Sequence, residues 1–156
     1  MSKLKADMPD DLNPFVKRQI ADLHIDQNRP LIITDADEVL FQFMAKLEEF
    51  ILENGLIFDW SSFALTGNIR DAETNEAIEP AAVKLFLADF FAERAASLDP
   101  VDGAAEVLKR LSERAQIVVL SNVPKDAVAD RIQCLHQHDM AYPLIANVGP
   151  KGPVVR

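Results

Sequence analysis

Two aspartates, Asp35 and Asp37, follow directly on the short apolar run from Leu31 to Thr34. An apolar, β-rich run closed by acidic residues is typical of a strand that is buried on both faces. Two carboxylates this close repel one another unless a cation or a shared proton relieves their charge. Mg²⁺ prefers oxygen ligands and is usually held by one or two carboxylates together with substrate phosphate and water. The pair therefore predicts a magnesium-dependent phosphoryl-transfer site.

Further polar residues close two later apolar runs. Ser121 and Asn122 end the run that begins at Gln116, and Lys151 comes shortly after a predicted third strand over 142–148. Ligands of open parallel sheets bind beyond the carboxyl ends of the strands, so we expect these side chains to converge with the aspartates. One aspartate could then attack phosphorus while the other transfers protons, and the hydroxyl, amide and ammonium groups would bind the phosphoryl oxygens.

Helical patterns separate the predicted strands. The spacing of apolar residues predicts helices over 42–54, from Pro80, over 104–114 and after Pro124, whereas the polar stretch 66–79 predicts a loop. Strands that alternate with helices indicate an α/β fold built on a parallel sheet.

Two of these helices carry apolar faces that we assign to the core. In the helix that begins at Pro80, a broad aromatic face could bind a cofactor, but at helical spacing such a face is far more often core. The face consists of Val83, Phe86, Leu87, Phe90 and Phe91. For the helix after Pro124, the predicted apolar face runs through Val128, Ile132 and Leu135.

Composition narrows the classes of partner and the compartment. The chain has 156 residues, is 49% hydrophobic and carries a net charge of -9, which repels nucleic acid. Cys134 is the only cysteine, so neither a disulfide framework nor a thiolate zinc site is predicted. No uninterrupted apolar stretch approaches the length of a membrane span, and residues 1–7 lack the pattern of a secretory leader. We predict a cytoplasmic protein that binds a small phosphorylated metabolite and neither nucleic acid nor membrane.

Together these motifs resemble the haloacid dehalogenase superfamily of phosphohydrolases. Residues 31–39 resemble its first motif, residues 117–122 its second and Lys151 the lysine of its third. Residues 100–108 are similar to the segment that often leads such chains back into the core.

The resemblance implies a role for each site residue. Asp35 would be the nucleophile and a ligand of Mg²⁺, and Asp37 would be the general acid/base, with its backbone carbonyl also on the metal. Ser121 and Lys151 would hold the transferring phosphoryl group. Because family members that displace halide from carbon need no acid at the second position, Asp37 favours phosphate esters over haloacids.

The resemblance also implies an architecture. We expect an incomplete Rossmann-like core over 1–40 and 99–156, with a lead-in over 1–29, and an α-helical cap over 41–98. The family's fourth motif, an acidic pair after a later strand, has no counterpart before Arg156, so we expect a truncated chain. The first strand would then lie at a sheet edge, which favours aggregation or a homodimer.

The sequence is also consistent with two other functions, and several further side chains could take part in chemistry. The absent fourth motif is also consistent with a non-catalytic module that binds phosphate or a protein. A receiver-like signalling domain would likewise place acidic, hydroxyl and lysine groups at strand ends, although the long insertion after Asp37 argues against it. We expect Glu38 to point away from the metal, and we assign the remaining candidates to the surface. They are His24, His136, His138 and Arg70.

Overall fold

The computed structural model describes residues 12–155 and has an α/β fold. Residues 1–11 of the predicted lead-in and Arg156 lie outside the described residues. The elements, in chain order, are α1 (Pro14–Asp22), β1 (Leu31–Thr34), α2 (Phe43–Glu53), β2 (Leu56–Phe58), β3 (Ile69–Asp71), α3 (Pro80–Arg94), α4 (Ala104–Ser112), β4 (Gln116–Asn122), α5 (Val128–Gln137) and β5 (Leu144–Asn147). Short 3-10 turns span Lys125–Ala127 and Gly152–Val154.

The main sheet has three parallel strands in the order β1-β4-β5. Thr34 pairs with Val119 and Ser121 pairs with Ala146, so the carboxyl ends of the strands meet at one edge. The prediction of an α/β fold with a parallel sheet is confirmed.

β1 is an edge strand in the described part of the chain, and the prediction that it is buried on both faces is wrong. It has β4 as its neighbour on one side, and Leu31 and Ile33 on one face stay 42% and 41% exposed. The central strand β4 has the burial that we predicted for β1, because it has a strand on each side and residues 117–121 are buried.

Helix α1 packs on the sheet face that carries Val118, Leu120 and Ile145. It begins where the Asn13 side chain accepts a hydrogen bond from the Phe15 N–H at 2.9 Å, a typical N-cap that satisfies one free backbone donor. Its apolar residues Val16 and Ile20 are buried in this contact.

Residues 41–98 contain a small antiparallel sheet, β2-β3, between α2 and α3, so the predicted loop over 66–79 is wrong at Ile69–Asp71. Ile69 pairs with Phe58 and is fully buried, and this pairing outweighs the polar character of the surrounding stretch. One continuous apolar cluster joins this insertion, through Ile51 and Phe90, to residues of β4. Residues 41–98 and the parallel sheet therefore share one hydrophobic core.

Across residues 12–155, the helices are too short or too polar to cross a membrane.

Candidate active site

Asp35 is the first residue after β1, and its carboxylate is held on both oxygens. Oδ1 accepts a hydrogen bond from the Ala36 N–H at 2.7 Å, and Oδ2 forms an ion pair with Lys151 Nζ. Lys151 lies beyond the end of β5, 116 residues away in sequence. The parallel sheet thus brings together the predicted nucleophile and the predicted phosphate-binding lysine, and both side chains remain partly exposed, at 40% and 30%.

Asp37 makes its ion pair with a residue that the sequence did not single out. Its Oδ1 accepts a hydrogen bond from Arg131 Nη1 at 2.7 Å, and the Arg131 side chain, on α5, is 0% exposed. The guanidinium also lies over the Phe41 ring, with Cζ 5.6 Å from the ring centroid. Within the described chain, the Nε and Nη2 groups of Arg131 are buried and have no hydrogen-bond acceptor.

The electrostatic environment of Asp37 contains opposing effects. Burial raises the pKa of the Asp37 carboxyl above its ordinary value, and the Arg131 guanidinium acts in the opposite direction. The charges of Asp35 and Lys151 also act on this pKa, the first raising it and the second lowering it. Asp35, Asp37 and Lys151 therefore form one electrostatically coupled group.

Arg131 was not identified from the sequence because the next residue, Ile132, was predicted to lie on the buried face of α5. The buried stripe of α5 includes Arg131, Cys134 and Leu135, whereas Ile132 is 39% exposed. Arg131 is three residues after Val128 and four before Leu135, so it lies on the same face of the helix as these two apolar residues. This spacing could have identified Arg131 as a charged residue within an apolar stripe.

Ser121 lies at the carboxyl end of β4 as predicted, and its environment is unusual. The side chain is 0% exposed, and its Oγ has no hydrogen-bond partner among the described residues. A buried hydroxyl without a partner costs free energy, so it needs an explanation such as a ligand or an ordered water.

Among the described residues, the Asn122 side chain makes its hydrogen bonds with Asn147 and Gly149 rather than with Asp35, Asp37 or Lys151. Its Oδ1 accepts a hydrogen bond from Asn147 Nδ2 at 2.7 Å, and its own Nδ2 donates to the Gly149 carbonyl at 3.2 Å. Asn147, which ends β5, was also missed, although it ends its strand in the same manner as Ser121 and Asn122 end theirs. Both amides brace the loop that leads to Lys151.

Glu38 points away from the carboxylate pair, as predicted. Its Oε1 accepts a hydrogen bond from the Met44 N–H at 2.6 Å, in the first turn of α2. Glu38 has a positive φ of 59°, a backbone conformation that is uncommon for residues other than glycine. This carboxylate therefore stabilises the start of α2.

A magnesium ion is compatible with the donors at this site. Residues 12–155 contain no group of three or more His, Cys, Asp or Glu side chains placed to hold a metal. They do place Asp35 beside Asp37, and one or two carboxylates with substrate phosphate and water are the usual ligands of Mg²⁺. The oxygen-only chemistry of this pair also fits Mg²⁺ better than a softer metal.

No protein-family model and no curated protein matches the chain when the sequence is compared with them.

Proposed function

We propose that this protein is a phosphohydrolase that cleaves a small phosphate ester through a phosphorylated Asp35. The observation that carries the proposal is the ion pair between Asp35 and Lys151 at the carboxyl edge of the parallel sheet. A partly exposed carboxylate beside an ammonium group can attack phosphorus while the cation holds a phosphoryl oxygen. In this proposal, the described residues of 1–40 and 99–156 form a Rossmann-like core, residues 41–98 form the cap, and the protein acts in the cytoplasm.

The first step is an attack by an oxygen of Asp35 on phosphorus. The Ala36 N–H orients the carboxylate through Oδ1, and Lys151 moves its ammonium group from Asp35 to a phosphoryl oxygen as the bond forms. The ester P–O bond breaks, and the leaving oxygen takes a proton from Asp37. The buried Ser121 hydroxyl donates its unused hydrogen bond to the phosphoryl group.

The second step releases phosphate. Asp37, now ionised, takes a proton from a water molecule that attacks phosphorus, and the bond from phosphorus to Asp35 breaks. Arg131 holds the Asp37 carboxylate in one place through both steps. A Mg²⁺ ion bound by Asp35 and the backbone carbonyl of Asp37 would neutralise charge on the phosphoryl oxygens.

A second candidate function is a non-catalytic module that binds phosphate or a protein. The observation that favours it is that both carboxylates already have a cation, Lys151 for Asp35 and Arg131 for Asp37. Their repulsion is thereby relieved without a metal. Such a module would bind inorganic phosphate without turnover. Within residues 12–155 one edge of β1 has no paired strand, so its backbone groups could pair with a second copy.

Hydrolysis of p-nitrophenyl phosphate, with and without magnesium, separates the two functions. We expect magnesium-dependent release of phosphate that Asp35→Asn abolishes, because the amide is a poor nucleophile. Asp89→Asn is the matched control, since Asp89 is an exposed aspartate of α3 with no ion pair among the described residues, and it should leave the rate unchanged. Full activity in Asp35→Asn would contradict the proposal, and phosphate binding without turnover would favour the module.

A further inference from the structure

A cavity of about 480 Å³ lies between α3 and the carboxyl ends of β4 and β5. Its walls are mostly apolar side chains, and Asn122 connects it to the end of the strand that carries Ser121. Small-molecule sites typically have volumes of roughly 300–1,000 Å³, with apolar walls and a few polar groups. The cavity therefore has the size and composition of a site for an organic ligand.

Helix α3 presents the partly buried edge of its apolar face to this cavity. Val83 and Phe90, on one side of the helix, are buried in the main core. Leu87 and Phe91 are partly buried and pack against the same core, and together with the exposed Ala88 they also line the cavity. The part of this apolar stripe that the core leaves uncovered is available to a ligand. The prediction that the aromatic face of this helix belongs to the core is confirmed, because its five residues are either buried in the main apolar cluster or partly buried and packed against it.

The polar groups of the cavity select against a cationic ligand. Among the described residues that line the cavity, Lys84 is the charged side chain and none is Asp or Glu, although the whole chain has a net charge of -9. Lys84 is exposed and makes no ion pair with residues 12–155. Asn122 uses one N–H of its amide on the Gly149 carbonyl, which leaves the other for a ligand.

We propose that this cavity binds the organic part of the substrate, an aromatic or branched aliphatic group that bears a carboxylate. This inference rests on the proposed phosphohydrolase function for the identity of the ligand as a phosphate ester. The apolar group packs on Leu87 and Phe91, the carboxylate pairs with Lys84 at the rim, and the phosphoryl end points past Asn122 towards Ser121.

Binding of non-hydrolysable phosphonates tests the inference without any need for turnover. The probes are methylphosphonate, phenylphosphonate and 4-carboxyphenylphosphonate, measured by calorimetry on the whole chain in the presence of magnesium. We expect phenylphosphonate to bind about tenfold more tightly than methylphosphonate, because its ring leaves water for the cavity. The added carboxylate should strengthen binding about threefold further through Lys84.

Pairs of single variants, one inside the cavity and one outside it, test which side chain causes the preference for the phenyl group and which causes the effect of the carboxylate. Leu87→Gln should remove most of the preference for the phenyl group, whereas Leu85→Gln should retain it, because Leu85 is 68% exposed and does not line the cavity. Lys84→Gln should remove the effect of the carboxylate, and the exposed Lys109→Gln should not. Ala88→Phe fills the cavity from an exposed position, so it tests the same point if Leu87→Gln does not fold.

Equal affinities for the methyl and phenyl probes, or no binding of any probe, would overturn the inference. A phenyl preference that survives both Leu87→Gln and Ala88→Phe would also overturn it. If Leu87→Gln instead dissociates a dimer in sedimentation experiments, the apolar face is a contact between copies and the inference fails. The expected binding pattern without hydrolysis of any ester would support the cavity while contradicting the phosphohydrolase.

Discussion

Replacing Arg131 by methionine tests whether the buried ion pair holds Asp37. Arg131→Met keeps a long apolar side chain beside Phe41 but leaves the Asp37 carboxylate without its partner at 2.7 Å. Removal of one partner from a buried pair typically costs about 3–5 kcal/mol. Because the Asp37 side chain is 25% exposed and water can reach it, we expect a smaller loss of about 2–4 kcal/mol in the free energy of unfolding. That is a large share of the roughly 5–15 kcal/mol of a typical domain.

Urea unfolding followed by circular dichroism measures this loss, and the expected decrease in the midpoint is about 1–2 M. The Arg131→Met/Asp37→Asn double variant removes both charges. Its loss in the free energy of unfolding should therefore be about 1–3 kcal/mol smaller than the sum of the losses in the two single variants. Arg110→Met is the control, since its pair with Glu106 is exposed at 75% and 74% and should change stability by less than about 0.5 kcal/mol. Additive losses, or an Arg131→Met variant as stable as the control, would refute the coupling.

Three further predictions concern buried groups. Ser121→Ala should change the free energy of unfolding by less than about 1 kcal/mol, because the Oγ has no hydrogen-bond partner among the described residues. The same variant should slow hydrolysis of an aryl phosphate about tenfold or more, and an unchanged rate would contradict the role of the hydroxyl. Since burial raises the pKa of Asp37, the native state holds this proton more tightly than the unfolded state. The stability of the native sequence relative to Asp37→Asn should therefore fall as the pH rises from about 4 through the native pKa, and urea titrations that show no such slope would be contrary evidence. Burial also raises the pKa of the Cys134 thiol, so iodoacetamide should label Cys134 only as fast as the chain unfolds. Rapid labelling of the native protein, measured by mass spectrometry, would contradict the burial of this thiol.

The contact between Asp35 and Lys151 could be predicted because it depends on a general rule. Each residue follows an apolar run that reads as a strand, and the carboxyl ends of parallel strands meet at one edge. The prediction did not need an estimate of the spatial distance between the two runs, because pairing within the sheet fixes that distance.

The partner of Asp37 could not be predicted because the spacing of apolar residues in α5 does not determine which residue between them faces the core. Val128 and Leu135 are compatible with either Arg131 or Ile132 on the buried side, and a charged side chain is normally placed in water. Burial of Arg131 is favourable only with a carboxylate that comes from 94 residues earlier in the chain. Likewise, β3 is three residues long within a polar stretch, and its pairing with β2 is a contact that local propensity does not contain.

Detection of phosphate on Asp35 is the most direct test of the proposed function. The protein is mixed with an aryl phosphate and magnesium, quenched in acid during turnover and digested for mass spectrometry. We predict that the peptide containing Asp35 gains the mass of one phosphoryl group, and that Asp35→Asn shows no such peptide. Phosphate release in the absence of any phosphorylated Asp35 peptide, or a phosphoryl group on a different residue, would contradict the account.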